Sequence, residues 1–101
     1  MPVKYSLRYL PIAQDDLISI FDWIAQDSPN RALLFVEKLD KLIGLLEKQP
    51  LLGREPRHPK LKEYGYRILI IDSYLIFYLL RKKTIEIHRI IHASRNLDDL
   101  L

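Results

Sequence analysis

Along this chain the spacing of apolar residues changes from a period of two to a period of 3.6 and back to two. Val3, Tyr5, Leu7 and Tyr9 alternate with Lys4, Ser6 and Arg8, as in a strand over residues 3 to 10 with one buried face, and Pro11 ends it. Ala13, Leu17, Ile20, Phe21 and Ile24 then fall on one side of a helical period, opposite Asp15, Ser19, Asp22 and Gln26, which predicts an amphipathic helix to about Gln26. Ser28-Pro29 restarts the pattern, because Ser28 can cap free amides and Pro29 suits a first helical position. Ala32, Phe35, Val36, Leu39, Leu42, Ile43 and Leu46 keep helical spacing, so a second helix is predicted from Pro29 to about Lys48. A two-residue break between helices favours an antiparallel hairpin.

Pro50, Gly53, Pro56 and Pro59 mark a stiffened surface loop over residues 50 to 65. Three apolar runs follow, 66 to 72, 74 to 81 and 84 to 92, parted by Asp72-Ser73 and Lys82-Lys83. Breaks that short permit only hairpins, so the runs form an antiparallel meander. The order strand, helix, helix, strand, strand, strand predicts one two-layer α+β domain over residues 1 to 101, with a short helical tail at its C-terminal end. Ile68 to Ile71 and Leu75 to Leu80 are apolar on both alternating faces, so a cover is expected on each side of the sheet. The helices supply one. The tail, a second copy or a partner chain is expected to supply the other.

Some apolar residues fall outside the core stripes: Ile18 and Trp23 on either side of the first helix, and Leu34 and Leu45 on the flank of the second. They are either packed edges of the core or a groove for a partner.

Charge is distributed unevenly. Residues 1 to 53 hold six Lys/Arg against seven Asp/Glu, whereas residues 54 to 96 hold ten against four, so the basic half is the strand-rich half. A bias of that kind is a solvated surface or a face for nucleic acid or an acidic partner. The chain has no cysteine and three scattered histidines, which argues against disulfides and a zinc site, and no apolar run is long enough to span a bilayer. The expectation is a soluble cytoplasmic protein without metal or cofactor.

Arg54, Arg57, Lys60 and Lys62 in the loop, and Arg67, Arg81, Arg89 and Arg95 at or near strand ends, are the cations that could meet a phosphate, since a guanidinium matches two of its oxygens. The sequence predicts that the sheet gathers them toward one edge. Strict alternation in the last strand places Glu86, His88, Ile90 and His92 on one face and Ile85, Ile87, Arg89 and Ile91 on the other. His88 and His92 would then stand about 13 Å apart, too far to share a metal but each able to move a proton. Tyr64, Tyr66, Tyr74 and Tyr78 add faces for base stacking or for packing.

Ala13-x-x-Asp16-Leu17-x-x-Ile20, Pro50-x-x-Gly53, Gly65-Tyr66-Arg67, Tyr74-Leu75-Ile76-Phe77-Tyr78 and Ile87-x-Arg89-Ile90-x-His92-x-x-Arg95-Asn96 succeed one another along the chain. In that order and spacing the chain resembles, over nearly its full length, the RelE/ParE superfamily of toxins from bacterial type II toxin-antitoxin systems, which includes ParE-like plasmid stabilisation proteins. The resemblance implies a cytoplasmic toxin neutralised by a cognate antitoxin that wraps its surface, here on Ile18, Trp23, Leu34 and Leu45. It implies contact with operator DNA only through the antitoxin, and a homodimer or a heterotetramer with the antitoxin as the assembly.

The superfamily divides in mechanism. Members similar to RelE are ribonucleases that cut messenger RNA in the ribosomal A site; those similar to ParE inhibit DNA gyrase. Arg67 matches the basic residue that in the ribonucleases contacts the scissile phosphate, and His92 and Arg95 are the nearest equivalents of their C-terminal acid or base. Arginine cannot exchange a proton at neutral pH, and the Arg89-x-x-His92-x-x-Arg95-Asn96 ending looks more like the ParE side. Gyrase inhibition is therefore the leading expectation. Ribosome-dependent messenger RNA cleavage by 2′-hydroxyl attack is the alternative, with Arg67, His92 and Arg95 as catalytic residues, and a non-toxic antitoxin-binding protein is the third.

Overall fold

Proline sets the first turn of every helix in the computed structural model, which describes residues 4–95. Strand β1 is Ser6–Tyr9, and Pro11 at the next helix start turns the chain into α1, Pro11–Ala25. At the head of α2, Pro29–Gly44, the Ser28 side chain accepts the Arg31 amide at 3.2 Å, and the helix tightens into a 3₁₀ turn at Leu45–Glu47. A short helix α3, Pro59–Glu63, precedes β2, Arg67–Ile71, β3, Tyr74–Arg81, and β4, Thr84–His92. The expected C-terminal helical tail lies outside the described residues.

The sheet order is β1-β4-β3-β2, with β1 parallel to β4 and the last three strands in the predicted antiparallel meander. The two tight turns lack glycine; Asp72 (φ 52°) and Lys82 (φ 56°) take the left-handed conformation instead. Aspartate tolerates that region through local hydrogen bonding, and lysine at Lys82 carries a modest strain.

The helix hairpin buries Ala13, Ile20, Leu39, Ile43 and Leu46 against Ile71, Ile76, Tyr78, Ile85, Ile87 and Ile90. Truncating a fully buried leucine such as Leu39 to alanine removes about 2–5 kcal/mol at sites of this kind. On the opposite face Leu61 of α3 joins Ile68, Phe77 and Ile91 in a second, smaller cluster. The segment expected to be only a surface loop thus contributes a helix and part of the second cover, because Leu61 sits mid-way along it with one buried side.

β4 departs from strict alternation. Phe77 pairs with Arg89 but Tyr78 pairs with Ile87, so His88 is an extra residue with no partner across the ladder. Beyond this bulge the faces exchange: Ile90 joins Ile85 and Ile87 beneath the helices, and Ile91 joins the opposite cluster. The prediction that His88 and His92 share a face is therefore corrected, since one inserted residue inverts all that follows it.

Candidate functional site

At the end of the sheet where β2 begins, Gly65 (φ 85°) closes α3. The Tyr66 amide reaches the Leu61 carbonyl and the Gly65 amide reaches the Lys62 carbonyl, each at 3.0 Å, the paired bonds of a glycine-terminated helix. This turn aims Tyr66 and Arg67 into the sheet. Arg67 does not reach outward: its Nε donates to the Gly53 carbonyl at 2.9 Å, and its Nη2 donates to the Gly53 and Leu51 carbonyls. Beneath it the fully buried Tyr78 hydroxyl accepts the Gly53 amide at 2.9 Å and donates to the Pro50 carbonyl at 2.8 Å. A Cβ on Gly53 would stand 2.6 Å from the Tyr78 ring and 2.9 Å from the Ile68 carbonyl, so only glycine fits. Pro50, Gly53, Arg67 and Tyr78 form one latch.

On the face away from α1 and α2, four polar side chains run in series. Tyr66 Oη lies 2.9 Å from His88 Nδ1, His88 Nε2 lies 3.2 Å from Glu86 Oε1, and Arg81 Nε donates to that carboxylate at 3.0 Å. His88 and Glu86 are largely enclosed, at 17% and 18% side-chain exposure, whereas Arg81 is open at 65%. The His88 hydrogen bond, helped by Arg81, holds the Glu86 carboxyl below its usual range. An ionised carboxylate only accepts, so His88 Nε2 donates to Glu86, and the Tyr66 hydroxyl, able to donate or to accept, meets Nδ1. Burial, with Glu86 adding to it and Arg81 opposing it, pushes the Tyr66 phenol up. A cleft of about 210 Å³ opens beside Tyr66, lined by Glu55, Lys62, Gly65 and Arg67.

In mid-sheet Arg89 makes a two-pronged contact with Asp16 of α1, at 2.9 and 3.1 Å, and Asp16 Oδ2 also accepts the Ile90 amide at 2.9 Å. β1 has ended by this point in β4, so Asp16 satisfies an amide the ladder leaves free. The Asp16 hydrogen bonds hold the Arg89 proton more tightly than usual.

The other end of the sheet is open. A groove of about 460 Å³ runs between α1 and the end of β4, lined among others by Trp23, Tyr74, His92, Ser94 and Arg95. The Ser94 amide donates to His92 Nδ1 at 3.1 Å, which leaves the Nε2–H of the neutral ring facing outward, and the Tyr74 ring meets the imidazole edge-on at 5.3 Å. A second groove of about 360 Å³ is lined by Ile24, Arg31, Leu34, Phe35, Lys38 and Asp72. Tyr74, packed against Phe35 at 5.3 Å, stands between the two. Trp23 is 70% exposed and Leu34 65%, far beyond what a packed core edge shows.

The expected single cationic edge is not formed. Arg67 and Arg81 lie at one end of the sheet without touching each other, Arg89 is clamped in the middle, and Arg95 lies with His92 at the other end. β3 is eight residues long, so the two ends are about 23 Å apart. The Arg95 guanidinium has no partner among the described residues. Arg54 bridges Ile68 through its backbone only, Arg57 and Lys60 are exposed, and Lys62 lies 3.9 Å from Glu55. Ile18 at 60% and Leu45 at 44% exposure are also open, but neither lines the two grooves around Tyr74. Sequence reasoning missed Asp16 and Glu86 as site residues and gave Tyr66 only as a face for stacking or packing, not as a partner of His88. Glu86 was within reach, since it sits two positions from His88 on the same side of the strand.

The two structures compared with this one share its fold. One, from "Chromosomal ParDE TA system from P. aeruginosa", superposes with a TM-score of 0.74 at 24% identity, covering 88% of this chain and 96% of the other. The second, from the RelBE2 toxin-antitoxin complex of Mycobacterium tuberculosis, gives a TM-score of 0.63 at 22% identity, covering 94% and 98%. No curated protein matches the chain in sequence. Residues 7–97 match the family described as the ParE toxin of the type II toxin-antitoxin system, parDE. With that match spanning most of the chain, over the segment that holds the latch, the Asp16–Arg89 clamp and both sheet ends, the protein belongs to the ParE toxin family.

Proposed function

We propose that this chain is a growth-inhibiting toxin that acts by binding DNA gyrase, in the cytoplasm, and is neutralised by a cognate antitoxin. The observation that carries the gyrase reading is the separation of the groups a ribonuclease would need together. Arg67 spends its guanidinium on the Gly53 and Leu51 carbonyls, while His92 stands opposite Tyr74, four residues further along β3 than the Tyr78 that faces Arg67. That offset is about 13 Å, too long for one phosphodiester to meet both. Purified protein should block gyrase supercoiling and leave messenger RNA uncut in a translating extract. Cleaved messenger RNA with supercoiling untouched would reverse the assignment.

Ribosome-dependent messenger RNA cleavage is the second reading, favoured by the Tyr66–His88–Glu86 series of proton-exchanging side chains at the same end of the sheet as Arg67. For the antitoxin, the exposed Trp23 and Leu34 on either side of Tyr74 fit the apolar face of an amphipathic segment, and Arg31 and Arg95 beside them fit its carboxylates. Ile18 and Leu45 would extend that surface along the helices.

A further inference from the structure

A sheet accepts a further strand only at an open edge, and this sheet ends in β1 on one side and β2 on the other. The β2 edge is partly closed, since Arg54 and Ile68 exchange both backbone hydrogen bonds, at 2.8 and 2.9 Å. The β1 edge is not. The Ser6 amide reaches the Lys83 carbonyl at 2.8 Å and the Leu10 amide reaches the Ile87 carbonyl at 3.0 Å, so the even-numbered residues turn their backbone groups toward β4. Backbone direction alternates along a strand, so Leu7 and Tyr9 turn theirs outward. Among the described residues nothing pairs with those two amides and two carbonyls.

The opening has fixed ends. Before it, the Tyr5 amide is taken by the Glu47 carbonyl at 2.8 Å; after it, Pro11 turns the chain into α1 and the Leu10 carbonyl accepts the Gln14 amide at 3.0 Å. An antiparallel strand laid on this edge would exchange two hydrogen bonds with Leu7 and two with Tyr9, and would set one residue opposite Arg8. The Leu7 and Tyr9 side chains pack toward the helix-covered core, so the residues facing them should be apolar. Arg8 stands on the other face, exposed, with no hydrogen bond or ion pair of its own among the described residues. Its neighbour across the ladder, Glu86, is already held by His88 and Arg81.

A second copy is a poor occupant. In the register that uses both open residues, each Leu7 meets the other copy's Tyr9 and the two Arg8 residues form a closely spaced pair, with Cα atoms about 4.5 Å apart. Like charges directly opposite destabilise a sheet, and charge on an edge strand is a common guard against self-pairing. The same guanidinium attracts a carboxylate. We propose that the β1 edge docks an extended antiparallel segment of another protein, one that presents a carboxylate between two apolar residues, with Arg8 selecting the carboxylate. The site shares no residue with the two grooves around Tyr74, and it depends on neither the antitoxin surface nor the cellular target.

Two capped heptapeptides test this, alike except for a central Val-Glu-Val or Val-Lys-Val, titrated into isotopically labelled protein and followed by NMR. The glutamate peptide should bind about tenfold more tightly than the lysine peptide and slow hydrogen exchange at the Leu7 and Tyr9 amides. Arg8→Thr, a substitution that suits a strand, should keep the backbone pairing and bind the two peptides equally. Rising salt should narrow the preference of the unaltered protein. The proposal is overturned if neither peptide protects Leu7 and Tyr9, if the lysine peptide binds as well as the glutamate peptide, or if the preference survives in Arg8→Thr. Protection of the same two amides that grows with protein concentration in the absence of peptide would overturn it too, because a second copy would then be the occupant.

Discussion

The two ends of the sheet use the same residue types to opposite effect. Where β2 begins, guanidinium, imidazole, phenol and carboxylate are held by one another or by backbone carbonyls; where β4 ends, Trp23, His92 and Arg95 line an open groove, and among the described residues the Trp23 indole and the Arg95 guanidinium have no partner. A cation that already donates to backbone carbonyls holds the fold in place, while one without a partner is available to another molecule. Arginine count along the chain therefore overstates the binding surface. Only position in the hydrogen-bond network separates the two roles.

The sharpest way to break this contrast is at the latch. Gly53→Ala drives a methyl into the Tyr78 ring and the Ile68 carbonyl and should cost about 3 kcal/mol or more, read from denaturant unfolding. Asp16→Ala leaves the partly buried Arg89 unpaired and the Ile90 amide unsatisfied, for an expected loss of about 2–3 kcal/mol. At the open end, Trp23→Ala should leave the stability of the isolated toxin within about 0.5 kcal/mol yet weaken antitoxin binding by about thirtyfold, measured by calorimetry on the same preparation. Equal losses in both measurements would erase the distinction between the ends. Lys38→Ala removes an exposed pair with Asp72 at 2.9 Å and should change stability by less than about 0.5 kcal/mol.

Acid should weaken the closed end through Glu86. The folded Glu86 carboxyl is held below its usual range, so it contributes stability above the ordinary carboxylate value of about 4.3 that is lost as pH falls through the lowered folded value. Glu86→Gln should remove that part of the acid limb of the unfolding curve. An unchanged limb would show that the His88 and Arg81 contacts do not stabilise the charged form.

Much of the architecture was legible because periodicity reports burial directly. Leu39, Ile43 and Leu46 announce the inner face of α2, and the tight breaks at Asp72 and Lys82 force the meander. α3 escaped notice because its five residues carry a single buried apolar position, Leu61, which sets no period. The bulge escaped because nothing local marks His88 as extra; it emerges only from how β3 and β4 align. Site residues were harder still. Arg67 and Arg95 read alike in one dimension, and what separates them is the Gly53 carbonyl, fourteen positions away from Arg67 in the chain. The motifs that identified the superfamily, Asp16 with Arg89 and Pro50-x-x-Gly53 with Arg67 and Tyr78, prove to be partners in holding the fold. That explains why they pointed to kinship more firmly than to chemistry.

The supernumerary residue in β4 marks where this lineage can change length without disturbing its core. Losing the codon for His88 would restore even pairing with β3 and leave Ile90 beneath α1 and Ile91 on the opposite face, because Ile87 and Arg89 already pair with the consecutive residues Tyr78 and Phe77. Such a deletion would remove the imidazole that joins Tyr66 to Glu86 and keep His92 at its groove.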